Sequence, residues 1–385
     1  MNHSLKHWKE AATLIVAAEQ RLCAGSLASR TPQLGKLDTK HLPHTSCFDY
    51  NILLLKRSGK SGFMPNAYVF PGGLVDSSDF SSEWLDIFRS FSNTPCLGLR
   101  HVKQNAETRP PIFATDRLKL GSPIPGEVAF RICALRETFE ESGVLLVVPK
   151  TEEKRVLNNK GGMIHHGIND ICPEKLKKWR SLVNQSPSNF IRMCRELEVL
   201  PNIWALHEWS NWLTPEGRYG GRRFDTAFFI CCLKEIPHTL QDQKEIELFQ
   251  WSTPSEVLQS YEAEEVWIAP PQFYELSRLC RLPSLNDLHK FASERAIEGC
   301  EQWMPVITAE DDQHISLLPG DKLYPVNASE SSTGHDGGSA LHRMVISDLY
   351  NIRLQITILL PSTSTCCLYY LSAPKVCFDL GPHFF

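Results

Sequence analysis

The chain of 385 residues predicts an α/β fold. Three observations carry that reading. Short apolar runs alternate with segments of helical spacing, the pattern of sheet and helix built by turns. Residues 227–233 are apolar throughout, as in a central strand buried on both faces. Residues 127–142 read as a helix that stops at Gly143 and gives way at once to an apolar strand, Val144-Leu145-Leu146-Val147-Val148.

The elements follow in order. Residues 11–18 form an apolar run too short to span a membrane, and 14–18 read as the first strand. Residues 52–56 make a second strand and 68–70 a third. Residues 80–125 mix Pro, Ser and Asn with apolar residues and read as an inserted surface element with a short helix near 83–91. The helix 127–142 and the strand 145–148 come next, then a polar loop at 151–167. Leu176, Trp179, Leu182, Phe190 and Met193 recur at helical spacing, as two helices broken at Pro187 within 173–197. Residues 203–213, 223–233 and 246–252 read as strands. A helix starts at Pro254, where proline suits the first turn, and 272–280 and 285–299 are helical. Residues 327–340, rich in Ser and Gly, read as a linker, and the tail from 359 to 385 shows no clear period.

Composition narrows the function classes. An apolar fraction of 42% allows a large core. A net charge of −4 argues against a nucleic-acid binder, which carries a basic face. The 13 cysteines include no Cys-x-x-Cys pair or Cys/His cluster, so reduced, mostly buried thiols are expected rather than a zinc site or a disulfide framework. No apolar stretch of transmembrane length runs without a break, and no membrane association is expected. Nothing in the pattern speaks to oligomeric state.

The most informative segment is Arg136-Glu137-Thr138-Phe139-Glu140-Glu141-Ser142-Gly143-Val144. Glu137, Glu140 and Glu141 fall at i, i+3 and i+4 and share one helix face. Like charges at that spacing repel by roughly 0.2–0.5 kcal/mol per pair. A solvated acidic face is the usual meaning of a charge run. Three carboxylates beside an arginine, before a helix stop and a buried strand, point instead to a hard divalent cation, Mg²⁺ or Mn²⁺.

This segment resembles the second half of the Nudix box, Gly-x5-Glu-x7-Arg-Glu-U-x-Glu-Glu-x-Gly-U, where U is bulky and apolar. Its first half is similar to Phe70-Pro71-Gly72-Gly73-Leu74-Val75-Asp76. Counted from Gly73, the box's first glutamate falls on Asp79. The helix half opens near Gly126-Glu127, with eight residues rather than seven between Glu127 and Arg136, so the segment from about 80 to 125 is an insertion inside the box. Thr138 stands at a U position. Upstream, Lys56-Arg57-Ser58 and the path from Phe63 to Gly73 resemble Nudix enzymes that cleave coenzyme A, and 341–357 resembles the last strands of such enzymes.

The resemblance implies a Nudix α/β/α sandwich with a mixed sheet and helical insertions. The domain would span 1–320, and 321–385 would hold the linker and a divergent tail. It implies metal-dependent hydrolysis of the diphosphate of coenzyme A or acyl-coenzyme A, giving 3′,5′-ADP and 4′-phosphopantetheine or its acyl form. In that scheme Arg136 orients Glu137; Glu137, Glu140 and Glu141 hold Mg²⁺ or Mn²⁺; and Glu137 also serves as a base, with Glu245 and Glu247 as alternatives. Gly72 and Gly73 admit the diphosphate, and Arg57 meets a coenzyme A phosphate. Arg222 and Arg223 are further candidates for phosphate, and Trp204, Trp209 and Trp212 for stacking or an acyl channel. The resemblance also implies a peroxisomal location, although the chain ends Gly381-Pro382-His383-Phe384-Phe385 without a Ser-Lys-Leu-like address, which leaves the cytoplasm open. Two other readings stay open at this level: a Nudix hydrolase for ADP-ribose, a dinucleotide or a nucleotide sugar, and a non-catalytic Nudix binding module.

Overall fold

The computed structural model describes residues 8–20, 47–62, 64–153, 155, 163, 171–215, 223–237, 246–310, 313–325 and 340–357. The tail beyond 357 and nearly all of the expected linker lie outside these residues.

The apolar run near the N-terminus becomes β1 (Lys9–Glu19), longer than its apolar stretch because its first residues also find partners. β2 (Tyr50–Arg57), β3 (Ala67–Val69) and β4 (Gly72–Leu74) follow. After β5 (Val147–Pro149) and β6 (Val199–Pro201) come β7 (His207–Leu213), β8 (Phe224–Leu233), β9 (Ile246–Ser252), β10 (Trp267–Ile268) and β11 (Gln302–Trp303). Among the described residues the main sheet has nine strands in the order β10-β3-β2-β1-β8-β7-β11, with β4 on β1 and β9 on β2. It is mixed: β1 and β8 run parallel from Lys9↔Phe224 to Ala18↔Leu233, whereas β1–β2 and β7–β8 are antiparallel.

A central parallel pair must be covered on both faces, which explains why both strands are apolar without alternation. Ala12, Leu14, Val16 and Ala18 of β1 face one core, and Ile15 and Ala17 face the other. The first core is closed by α3 (Gly126–Ser142), α4 (Pro173–Gln185) and α5 (Asn189–Glu196), after the short α1 (Glu83–Ile87) and α2 (Pro111–Ala114). The second is closed by α6 (Pro254–Glu262), α7 (Pro270–Leu279) and α8 (Leu285–Glu298). The helix pair at 173–197 breaks around Pro187 as its sequence predicts.

Three local expectations change. The insertion at 80–125 is more than a surface element: much of it is exposed, but Trp84, Phe88, Phe91, Ile112, Phe113 and Ile124 are buried in the first core. Residues 144–148 are buried, but only Val147–Pro149 is strand, and it pairs with β6 in a separate two-stranded ribbon. Residues 203–205 form a 3₁₀ turn ahead of β7. A second sheet follows the main one: β12 (Val306–Glu310), β13 (Gln313–Leu317), β14 (His342–Asp348) and β15 (Asn351–Ile356), antiparallel in chain order. It draws strands from both sides of residue 320, with Ile315 opposite Val345.

Candidate active site

β1 changes partner along its length, pairing with β2 at Ala17↔Ile52 and with β4 at Thr13↔Gly72 and Ala12↔Gly73. The end of β2, β4 and the C-terminal turns of α3 border one cleft of about 690 Å³. Arg57, Gly72, Gly73, Arg136, Glu137, Glu140 and Glu141 all line it, so the structure brings these seven residues to one place.

Arg136 organises the carboxylates. Its Nη1 donates to Glu137 Oε1 at 2.8 Å and to Glu140 Oε1 at 2.9 Å. Its Nε and Nη2 both donate to Asp79, each at 2.8 Å, and Nη2 also donates to the Leu74 carbonyl at 3.1 Å. The guanidinium is only 2% exposed, and its carboxylate neighbours hold it charged against the cost of burial. Asp79, 1% exposed, is the buried acid that meets Arg136 from outside the helix. Glu127 does not reach Arg136: the two are nine positions apart on α3, about two and a half turns at 3.6 residues per turn, which puts them on opposite faces of the helix. A 3₁₀ turn at Ser77–Phe80 presents Asp79, whose Oδ2 also accepts from the Asp76 N–H at 2.9 Å. Residues 80–125 run between Asp79 and α3, and the contact forms across them.

Thr138 fits its apolar slot because its hydroxyl donates to the Ala134 carbonyl at 2.7 Å and is satisfied within the helix. Gly143 ends α3 in the left-handed region, at φ 75°. Arg180 of α4 donates to the Glu140 and Glu141 carbonyls at 2.9 and 2.7 Å. A buried cation on the last carbonyls of α3 steadies the turn that carries the carboxylates. Nothing in the sequence separates Arg180 from the other basic residues of its helix.

The glycines are needed for approach. A Cβ on Gly73 would lie 2.5 Å from the Glu137 carboxylate, and one on Gly72 would lie 2.5 Å from the Ala12 carbonyl and the Thr13 hydroxyl. The Gly72 N–H donates to Glu141 Oε2 at 2.9 Å. Burial pushes Glu137 up to about 7; Arg136 opposes that rise, and repulsion from Glu140 adds to it.

Among the described residues no group of three or more His, Cys, Asp or Glu side chains is gathered closely enough to hold a metal ion by itself. The three glutamates nonetheless suit a hard divalent cation. They present an all-carboxylate oxygen donor set on one lip of the cleft, with the Glu137 and Glu140 side chains 14% exposed. Such a cation takes few protein ligands and completes its shell with water and substrate oxygens.

The remaining candidates separate. Arg57 lines the cleft and donates to the Ser61 hydroxyl at 2.8 Å through Nη2. Arg223 lies over the Trp8 ring at 3.7 Å, and Arg222 lies outside the described residues. Of the three tryptophans only Trp212 faces the cleft. Trp204 stacks on Phe91 at 4.4 Å in the first core, and Trp209 is fully buried with its indole N–H on Glu275. Glu245 and the Glu247 side chain lie outside what the structure describes.

A mixed sheet with a carboxylate-bearing helix behind a Gly-Gly strand, its arginine locked to the acid of a 3₁₀ turn, defines a Nudix hydrolase. The chain belongs to the NUDT19 family: the family model described as the NUDT19 Nudix domain matches residues 8–279, and that of the NUDT19 C-terminal domain matches 307–357. It is 54% identical to a Xenopus laevis protein called acyl-coenzyme A diphosphatase NUDT19, over 84% of this chain and 83% of that one. Proteins of the same name from Gallus gallus and Homo sapiens are 46% and 42% identical, over 93% and 82% of this chain and 94% and 80% of their own.

Proposed function

We propose that the protein hydrolyses the diphosphate linkage of coenzyme A and its acyl thioesters, releasing 3′,5′-ADP and 4′-phosphopantetheine or its acyl form. The observation that carries this is the cleft itself. One end holds Arg136, Glu137, Glu140 and Glu141, and the rest is broad and largely apolar, as a diphosphate flanked by a long flexible arm requires. The names of the three relatives support the same substrate class.

Glu137, Glu140 and Glu141 would hold Mg²⁺ or Mn²⁺. When bound, such a cation neutralises diphosphate charge and lowers the pKa of water. The chain's own groups do the rest. Arg136 fixes Glu137 and Glu140 through two hydrogen bonds from one nitrogen, so their oxygens keep their positions as substrate enters. Gly73 lets the Glu137 carboxylate lie against the backbone beside the diphosphate, where it accepts the proton of the attacking water. Arg57, at the end of β2, meets a phosphate of the nucleotide. A peroxisomal setting belongs to the same reading.

Incubation of purified protein with coenzyme A and Mg²⁺ or Mn²⁺, beside Glu140→Gln/Glu141→Gln, tests the reaction. We expect 3′,5′-ADP from the wild type, none after chelation, and none from the double variant. Turnover of ADP-ribose or a dinucleotide in place of coenzyme A would overturn the substrate assignment. Arg57→Ala should raise KM for coenzyme A more than for dephospho-coenzyme A; equal effects would remove Arg57 from the 3′-phosphate.

A further inference from the structure

The cleft does not end at the main sheet. Leu74, Ala11, Thr226 and Trp212 sit opposite one another on β4, β1, β8 and β7, and all four line it. At about 4.8 Å per strand, that row carries the cleft roughly 14 Å from the carboxylate end. Trp212 is then opposite Trp303 of β11, from which the chain passes through Pro305 into β12. There the wall changes sheet. Ile307, Ser316 and Met344 are register partners on β12, β13 and β14, and Ile346 lies two residues beyond Met344 on the same face. These four residues line the cleft as well.

We infer that this C-terminal sheet, with the first turn of α7, forms the subsite that receives the pantetheine arm and its acyl group. Ile307, Met344 and Ile346 then set acyl preference, and Gln272 reads an amide of the arm. The inference rests on the coenzyme A reading and specifies which part of the molecule lies where. Charge fixes the direction. Among the described lining residues the cations are Arg57 and Arg136; Arg136 is buried among its carboxylates, so Arg57, on β2, marks the end for the phosphorylated nucleotide. The second-sheet end offers aliphatic side chains, Trp212 and the Pro270-Pro271 pair, surfaces that suit methylenes and an acyl chain.

Gln272 supplies an independent observation. It lines the cleft in the first turn of α7, and its side-chain Oε1 is buried with no hydrogen-bond partner among the described residues. A buried acceptor left unmet is unfavourable until a donor arrives. The pantetheine arm carries two amide N–H groups between apolar segments and can supply one.

Two variants of the full chain test this against a series of coenzyme A, hexanoyl- and dodecanoyl-coenzyme A. In Ile307→Trp, at a half-buried position, the ratio of kcat/KM for dodecanoyl-coenzyme A to that for coenzyme A should fall about tenfold or more, a steric discrimination of the size a filled pocket gives. In Gln272→Leu, KM for coenzyme A should rise several-fold while inhibition by 3′,5′-ADP, which lacks the arm, is little changed. General damage to the fold would not move either comparison. If Ile307→Trp does not fold, the Gln272 variant carries the test alone. An unchanged chain-length ratio in folded Ile307→Trp, or equal loss of 3′,5′-ADP and coenzyme A binding in Gln272→Leu, would overturn the subsite while leaving the activity standing. A wild type inert toward the whole series would sink the subsite together with the activity.

Discussion

Asp79 shows how one side chain can keep a motif intact across a long interruption. It holds a buried guanidinium by two hydrogen bonds and caps its own turn by a third. Asp79→Ala would leave Arg136 with a buried, poorly compensated charge, and we expect a loss of about 3–5 kcal/mol by urea unfolding. A cost under about 1 kcal/mol would mean that Glu137 and Glu140 suffice to hold the arginine. His207 makes a different prediction. Burial holds its pKa down to about 3, and the charges of His289, Arg100 and Arg131 add to the effect. The unfolded chain takes up this proton below its ordinary 6.5, whereas the folded one resists until about 3. The stability contribution is therefore present above pH 6.5 and is lost as pH falls toward 3, by up to about 1.4 kcal/mol per pH unit. His207→Gln should flatten that fall between pH 7 and 5, and an unaltered slope would refute it.

The insertion illustrates what an element's composition conceals. Its Pro, Ser and Asn content suggests a surface excursion, yet Trp84 is 1% exposed, packs beside Phe88 and Phe190, and donates from its indole N–H to the Ser78 carbonyl at 2.9 Å. Ser78 belongs to the turn that presents Asp79. The element therefore supports the site through packing as well as through chain connection. Trp84→Ala should cost about 3–5 kcal/mol, as large core truncations do. Thermal or chemical unfolding checks this, and a loss within about 0.5 kcal/mol would return the insertion to the surface.

At the level of the whole molecule, the second sheet is tied to the main body. Its face packs on α6 and α7, and Tyr274 meets His342 at 3.0 Å. Asp321 anchors β14, accepting from Arg343 Nε at 2.7 Å and from the His342 N–H at 2.8 Å. Arg343→Ala would leave Asp321 buried without its cation, and we expect a loss of roughly 3 kcal/mol. Because the two sheets share a core, circular dichroism and tryptophan fluorescence should report the same shifted transition. Two separated transitions would show that the second sheet unfolds on its own.

The carboxylates of the candidate site were legible without a structure, because a helix converts sequence spacing into a shared face: Glu137, Glu140 and Glu141 had to lie together wherever that helix went. The central strands were legible for a similar reason, since a strand buried on both faces cannot hide its continuous apolar run. What only the tertiary structure decided are the contacts between parts distant in sequence. Asp79 and Arg136 are joined across 57 residues, Arg180 caps a helix from 39 to 40 residues away, and Met344 and Ile307 reach the same cleft as Gly73. Local periodicity reports which face of an element is apolar but not which partner covers it. That choice depends on how the elements pack, and it places the carboxylates at one end of a long cleft whose other end is built from the last of the described strands.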